Sequence, residues 1–374
     1  AHPLRFAAKF KEKGEQPDYR TLRERIMTYE PYDNSPALLM DMDRHGVDMA
    51  ALMTAFNMRN EMIADIVKRH PDRFIGFCGW VETARRAFTG EESFSAEKAA
   101  MEVERWLKTP EFSGVGEVLA FPMWRGSWEE NLSFWHTMMD VIAPMEVPVL
   151  FHTGWGRYPG KLRLYNPIYI DDLAVEYPYV PFIIGHMGVQ GGWYRVYPEI
   201  ALMVAAKNDN VFLETSQGWS ELLERAYLDP NIGPDKMIFG TDFGASFTYQ
   251  RIGDRTYAGW PKQPPSRLPE HLAWNLEQLY KVDMPEEDRD KILGLNLAKL
   301  CKINVKKRIL ERQEKYKEKG GGNGKVRSYL DNAGPVPFNG RPSPIRHQGP
   351  CGGQLLRLLG PAHNRGRRKG VFCF

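Results

Sequence analysis

A parallel α/β barrel, the (β/α)8 TIM arrangement, is the fold class that residues 1–305 predict, and three observations predict it. Short apolar runs alternate with longer amphipathic stretches seven times between residues 47 and 242. Each run has six to eight residues and is apolar almost throughout, as expected of strands buried on both faces of a parallel sheet. No Gly-rich dinucleotide turn follows any of them, which favours a barrel over a doubly wound sheet.

The elements follow in order. VDMAALMT (47–54) precedes the helical pattern MRNEMIADIVKRH, and RFIGFCGW (73–80) precedes SAEKAAMEVERWLK. VGEVLAF (115–121) leads to WEENLSFWHTMMDVIAP, and VPVLFH (147–152) to NPIYIDDLAVEYP. VPFIIGH (180–186) is followed by WYRVYPEIALMVAAK, NVFLETS (210–216) by ELLERAYL, and KMIFGTD (236–242) ends the series. An eighth strand is expected ahead of Ala1, so the chain reads as a fragment that lacks most of its first barrel strand. The long aromatic stretch 243–269 after the last strand reads as a lid.

Composition changes near residue 320. Residues 320–374 hold 12 Gly, 6 Pro, nine Lys or Arg and one acid, a charge of 9 − 1 = +8. The chain total of +3 therefore leaves 3 − 8 = −5 for residues 1–319. The Gly/Pro-rich tail has no steady hydrophobic period and is expected to be disordered. Its charge would allow non-specific attraction to nucleic acid, but it carries no recognisable binding motif, and no specific nucleic-acid partner is expected. KKRILERQEKYKEK (306–319) reads as a charged helical extension without a wide apolar face. No apolar run approaches the ~20 residues needed to span a bilayer. Four cysteines in 374 residues, none spaced Cys-x-x-Cys, exclude a disulfide framework and favour a reduced, cytoplasmic setting.

Barrel enzymes carry their chemistry where strands end, and polar residues stand at those places here. His152 closes VPVLFH, His186 closes VPFIIGH and Asp242 closes KMIFGTD. Glu117 lies in VGEVLAF, and His2 would follow the lost first strand. Singly, each has a plainer reading: a hydrogen-bonded core histidine, a capping aspartate, a glutamate paired with arginine. Together, imidazoles and a carboxylate at one end of a barrel suit a divalent ion of the zinc type. His45, His70, His136 and His271 fall in helices or loops and read as surface or packing residues. Trp80, Trp124, Trp155, Trp219 and Phe243 lie at or beyond strand ends and could stack on a planar ring. Arg59, Arg157 and Arg251 fall in loops on the same side and could clamp a carboxylate.

These residues resemble the amidohydrolase superfamily, specifically its amidohydrolase-2 group. The resemblance runs from residue 1 to about 303. It rests on GVDMAALM (46–53), VKRHPDRFIGFCGW (67–80), PVLFHTGWG (148–156), YPYVPFIIGHMG (177–188), NVFLETS, KMIFGTDFG (236–244) and ILGLNLAKLCKI (292–303). It implies a TIM-barrel enzyme that binds one divalent metal, zinc first and manganese second. His2, His152 and Asp242 are implied as metal ligands, and His186 and Asp242 as catalytic groups. The family's first strand ends His-x-His, often followed by Pro; Ala1-His2-Pro3 matches its last part, and the first ligand is absent from this chain. Trp80, Glu117, Trp155, Arg59 and Trp219 are the expected substrate contacts.

Two reactions are implied: hydrolysis of a small carboxylated cyclic compound such as a lactone or amide, and non-oxidative decarboxylation of an aromatic or muconate-type acid. GWGRYPGKLRLYNPIYIDDLAVEYP and VQGGWYRVYPEI are closer to the hydrolase branch, which is the expectation; a barrel whose metal site has decayed is the third reading. The expected partner is a small-molecule substrate, with no membrane, and a homo-oligomer fits the family.

Overall fold

The computed structural model describes residues 33, 35–54, 58–122, 126–154, 161–189, 195–242, 251–252, 255–256, 271–304, 307 and 372–373. Helix α1 (Ser35–His45) leads into β1 (Met49–Met53), α2 (Asn60–Arg69), β2 (Phe74–Cys78), α3 (Val81–Thr89), α4 (Ala96–Leu107) and β3 (Phe112–Val118). Next come α5 (Trp128–Ile142), β4 (Val149–Phe151), α6 (Ile168–Glu176), β5 (Phe182–Ile184) and α7 (Val196–Lys207). The repeat ends with β6 (Val211–Glu214), α8 (Ser220–Leu228) and β7 (Met237–Ile238).

All seven expected strands are present. They lie side by side in chain order, each parallel to the next. A doubly wound sheet reverses its order at a switch point; this one does not, as a barrel requires. The pleat divides the core in two. Met49, Ala51, Ile75, Phe77, Leu150, Ile183 and Ile238 form the inner cluster. The alternate residues Ala50, Leu52, Phe74, Val149, Phe151, Phe182 and Ile184 join the larger layer packed beneath the helices. Phe151 and Trp135 are wholly buried there, and burying a side chain of that size stabilises the fold by about 1.5–3 kcal/mol. The Trp135 indole N–H donates to Ala120 O at 2.8 Å, so no polar atom is stranded by that packing.

Two departures from the expected elements stand out. Helix α3 is additional to the pattern. It ends at Gly90, which takes a left-handed φ of 79°, and the buried Glu102 carboxylate of α4 accepts from the N–H groups of Glu82 (3.1 Å) and Thr83 (2.8 Å) in its first turn. A tertiary carboxylate thus caps a helix whose own sequence carries no capping side chain. The second departure concerns the strand beside β1. There β10 (Phe372–Cys373) pairs parallel to β1, Phe372 with Met49 and Cys373 with Ala50. Two residues of the tail therefore belong to the sheet; the rest of 320–374 lies outside the described residues, as does all of 306–319 but Lys307.

Of the proposed lid, only a two-residue antiparallel pair is described, β8 (Arg251–Ile252) with β9 (Arg255–Thr256). Helices α9 (His271–Lys281), α10 (Glu286–Asp290) and α11 (Asn296–Leu300) follow. Asn296 of α11 donates to the carbonyls of Pro234 and Met237, both at 2.8 Å, tying this end of the chain to β7. Among the described residues no helix is long and apolar enough to cross a membrane.

Candidate metal centre

Three strands deliver three side chains to one point. Glu117 sits near the end of β3, anchored by β1: its N–H donates to Thr54 O, and the Thr54 N–H returns to Gly116 O, each at 3.1 Å. His152 follows the last residue of β4, and its N–H donates to Val118 O at 2.7 Å. His186 lies in a tight turn, Gly185–Gly188, directly after β5. There His186 and Met187 take left-handed φ values of 60° and 48°, a conformation that side chains resist unless their surroundings enforce it.

The enforcing groups are identifiable. The Thr153 hydroxyl donates to Gly185 O (2.7 Å) and accepts from Gly188 N (3.1 Å), bracing both ends of the turn. The His186 N–H donates to the Glu214 carboxylate at 2.7 Å. Gly188 closes the turn with φ 76°, and a Cβ there would lie 2.6 Å from the Tyr197 carbonyl.

The side chains converge as a result. Glu117 Oε1 is 2.7 Å from His152 Nδ1 and 2.9 Å from His186 Nε2, and the two ring nitrogens are 3.2 Å apart. One ligand atom from each of the three lies within 4.8 Å of the others, the spread expected of a metal-binding group. The cluster is largely withdrawn from water, with His186 at 5%, His152 at 17% and Glu117 at 20% side-chain exposure. Burial alone would push the Glu117 carboxyl up, yet the charge and hydrogen bonds of His152 and then His186 hold it well below the usual carboxylate range. For His186 burial acts downward, but the Asp242 charge and the Glu117 carboxylate raise its pKa to about 10. A carboxylate accepts from the N–H of either ring, and with both nitrogens deprotonated the same three atoms can instead hold a metal ion. Two imidazole nitrogens and a carboxylate oxygen are the donor set that zinc or manganese takes.

The expected site residues divide. Glu117, His152 and His186 meet, and the paired arginine considered for Glu117 is replaced by two imidazoles. Asp242, with φ 50°, lies at the end of the last strand segment; its Oδ2 accepts from Gln217 Nε2 at 2.5 Å, and its charge acts on His186. Trp80 packs edge-on against Phe134 and Trp135 in the layer beneath the helices, 7% exposed. It stands just beyond the end of β2, as expected, with its ring in core packing. Trp219 lies just beyond the end of β6, immediately before α8, and lines a groove with Arg195, Glu199 and Arg225. Arg59 stands half-buried immediately before α2. His2, Trp124, Trp155, Arg157 and Phe243, and the side chain of Arg251, lie outside the described residues. His136 pairs with Glu176 on the surface at 2.8 Å, and His70 packs edge-on against Phe74.

Sequence reasoning passed over Glu214, Ser216 and Gln217. Glu214 and Ser216 close the run NVFLETS, and the strand-end rule that singled out His152 applies to them equally.

Residues 1–302 match a family model described as Amidohydrolase, the amidohydrolase-2 group. The chain belongs to the amidohydrolase family. No curated protein matches it. Solved structures similar to this amidohydrolase include a 4-oxalomesaconate hydratase from Rhodopseudomonas palustris, 17% identical with TM-score 0.48, covering 83% of this chain and 92% of that one. A 5-carboxyvanillate decarboxylase from Novosphingobium aromaticivorans, complexed with manganese and a nitrobenzoic acid, is 14% identical with TM-score 0.47, covering 79% and 87%. A probable 2-pyrone-4,6-dicarboxylic acid hydrolase from Acinetobacter baumannii, with citric acid bound, is 13% identical with TM-score 0.45, covering 72% and 88%.

Proposed function

We propose that this amidohydrolase is a metal-dependent hydrolase of a small carboxylated cyclic substrate, lactone- or amide-like, with one divalent ion, zinc or manganese. The convergence of Glu117, His152 and His186 carries this reading. Those three would hold the ion, with His2 and Asp242 as the further ligands that the family resemblance implies. This assigns Glu117 and His186, expected as a substrate contact and a catalytic group, to the ligand set, because their donor atoms face the same point as His152.

When bound, the ion supplies Lewis acidity toward a substrate oxygen and toward water. The chain's own groups supply the rest. Asp242, oriented by Gln217, accepts a proton at its carboxylate from the attacking water and returns it to the leaving group. Arg59 is the described cation from the expected set that can pair with a substrate carboxylate. The burial of the cluster removes bulk water that would otherwise weaken each of these interactions.

The test begins with metal analysis of the full chain, for which about one zinc or manganese per chain is expected. His152→Ala and Asp242→Ala should each abolish turnover of a carboxylated lactone panel followed by acid release. Failure of the wild-type chain to take up either ion overturns the reading. CO2 release from aromatic or muconate-type acids, without acid production from lactones, replaces hydrolysis by decarboxylation.

A further inference from the structure

His186 presents one nitrogen to the cluster, and something must occupy the other. His186 Nδ1 lies 2.6 Å from Ser216 Oγ. The same hydroxyl lies 2.8 Å from Glu214 Oε2. Glu214 is fully enclosed and is engaged by two obligate donors, one on each oxygen: His186 N–H on Oε2 at 2.7 Å and Ser216 N–H on Oε1 at 2.8 Å. A serine hydroxyl has a single proton. Committed to the Glu214 carboxylate, that proton leaves the Ser216 oxygen as an acceptor, and its partner must be a protonated Nδ1.

We propose that Ser216 and Glu214 are a positioning pair for His186: Ser216 takes the Nδ1 proton, leaving Nε2 as the nitrogen that faces Glu117 and His152. The inference rests on the metal reading above and names what orients one of its ligands. Three strand ends cooperate in it. Glu214 ends β6, His186 follows β5, and the space for the carboxylate is provided after β7 by Gly240, where a Cβ would lie 1.6 Å from Glu214 Oε1. The carboxylate also holds the His186 backbone in its left-handed conformation, so one group sets both where the ring is attached and how it is turned. Outer partners of this kind fix the tautomer of metal-binding histidines and strengthen their hold on the ion.

The experiment uses the full chain with Ser216→Ala and, to restore the hydroxyl, Ser216→Thr, with folding checked by circular dichroism and urea midpoint. Zinc and manganese affinities are measured by competition with a chromophoric chelator. Ser216→Ala should weaken both by roughly 10–100-fold, and Ser216→Thr should recover most of the loss. A second readout needs no metal: in 15N-histidine-labelled protein, the slowly exchanging Nδ1 proton of His186, assigned by its absence in His186→Gln, should be lost or shifted in Ser216→Ala. Unchanged affinity, or an unchanged ring-proton signal, in a folded Ser216→Ala chain overturns the proposal. Should the wild-type chain bind no metal, the functional reading falls, while the ring-proton signal still decides the positioning pair. Should Ser216→Thr not fold, the two Ser216→Ala readouts decide alone.

Discussion

At the scale of single residues, the decisive fact is that a carboxylate and two imidazoles are packed within hydrogen-bonding distance in a mostly dry pocket. Glu117→Gln keeps the shape and removes the negative charge. Its metal affinity should fall by at least about 100-fold, beyond the 10–100-fold attached to supporting residues, with chelator competition as the measurement. Gly240→Ala tests a different term. Its Cβ would collide with Glu214 Oε1 at 1.6 Å, displacing a buried carboxylate from three donors. A loss of about 3 kcal/mol or more, from overpacking plus broken buried hydrogen bonds, is expected in urea unfolding.

At the scale of elements, α3 and α4 show how local charge is used. Glu82 lies among Arg85 and Arg86, whose hydrogen bonds and charges overcome the upward effect of burial and hold its pKa at about 2. A carboxyl whose folded pKa is depressed contributes stability above its unfolded pKa, and that contribution disappears as pH falls through the folded value. Glu82→Gln should therefore cost a constant amount above about pH 5, below ~1 kcal/mol because solvent screens the pair. The cost should vanish as pH drops from 4.5 toward 2; paired urea titrations at pH 7 and pH 3 check this. Burial pushes the Cys78 thiol of β2 far up, so Cys78 should resist alkylation in the folded chain and react only in denaturant, read by peptide mass spectrometry. The NP…DDLA stretch proves to be scaffold at this scale. Asn166 caps the start of α6 by accepting from Ile168 N at 3.0 Å. Asp171 ties α6 to Lys207 of α7 and to Asn208 just after it, and Asp172 ties it to Trp128 of α5. A motif that sorts branches of a family can do so through packing rather than chemistry.

For the whole molecule, the formal charge of +3 is the sum of −5 for residues 1–319 and +8 for residues 320–374. The full chain should bind heparin at low salt and elute steeply as salt rises, while a chain ending at residue 319 should flow through. The architecture itself was legible before any coordinates. Seven parallel strands stand where seven apolar runs predicted them, because strands buried on both faces leave an unmistakable apolar signature. Helix α3 was not legible, since the carboxylate capping it comes from Glu102, one element later in the chain.

The order of strands, the strand ends at which polar groups gather and the candidacy of Glu117, His152, His186 and Asp242 were all written in the linear pattern. Periodicity and strand termini are local properties, and a sequence displays them directly. Roles within the site were not written there. That Glu117 touches two imidazoles, that Trp80 is spent on packing and that Ser216 and Glu214 back His186 depend on residues 30 to 70 positions apart meeting across strand ends. Contacts of that range are set by the register and twist of the sheet, and a linear pattern holds no record of which strand ends will face one another.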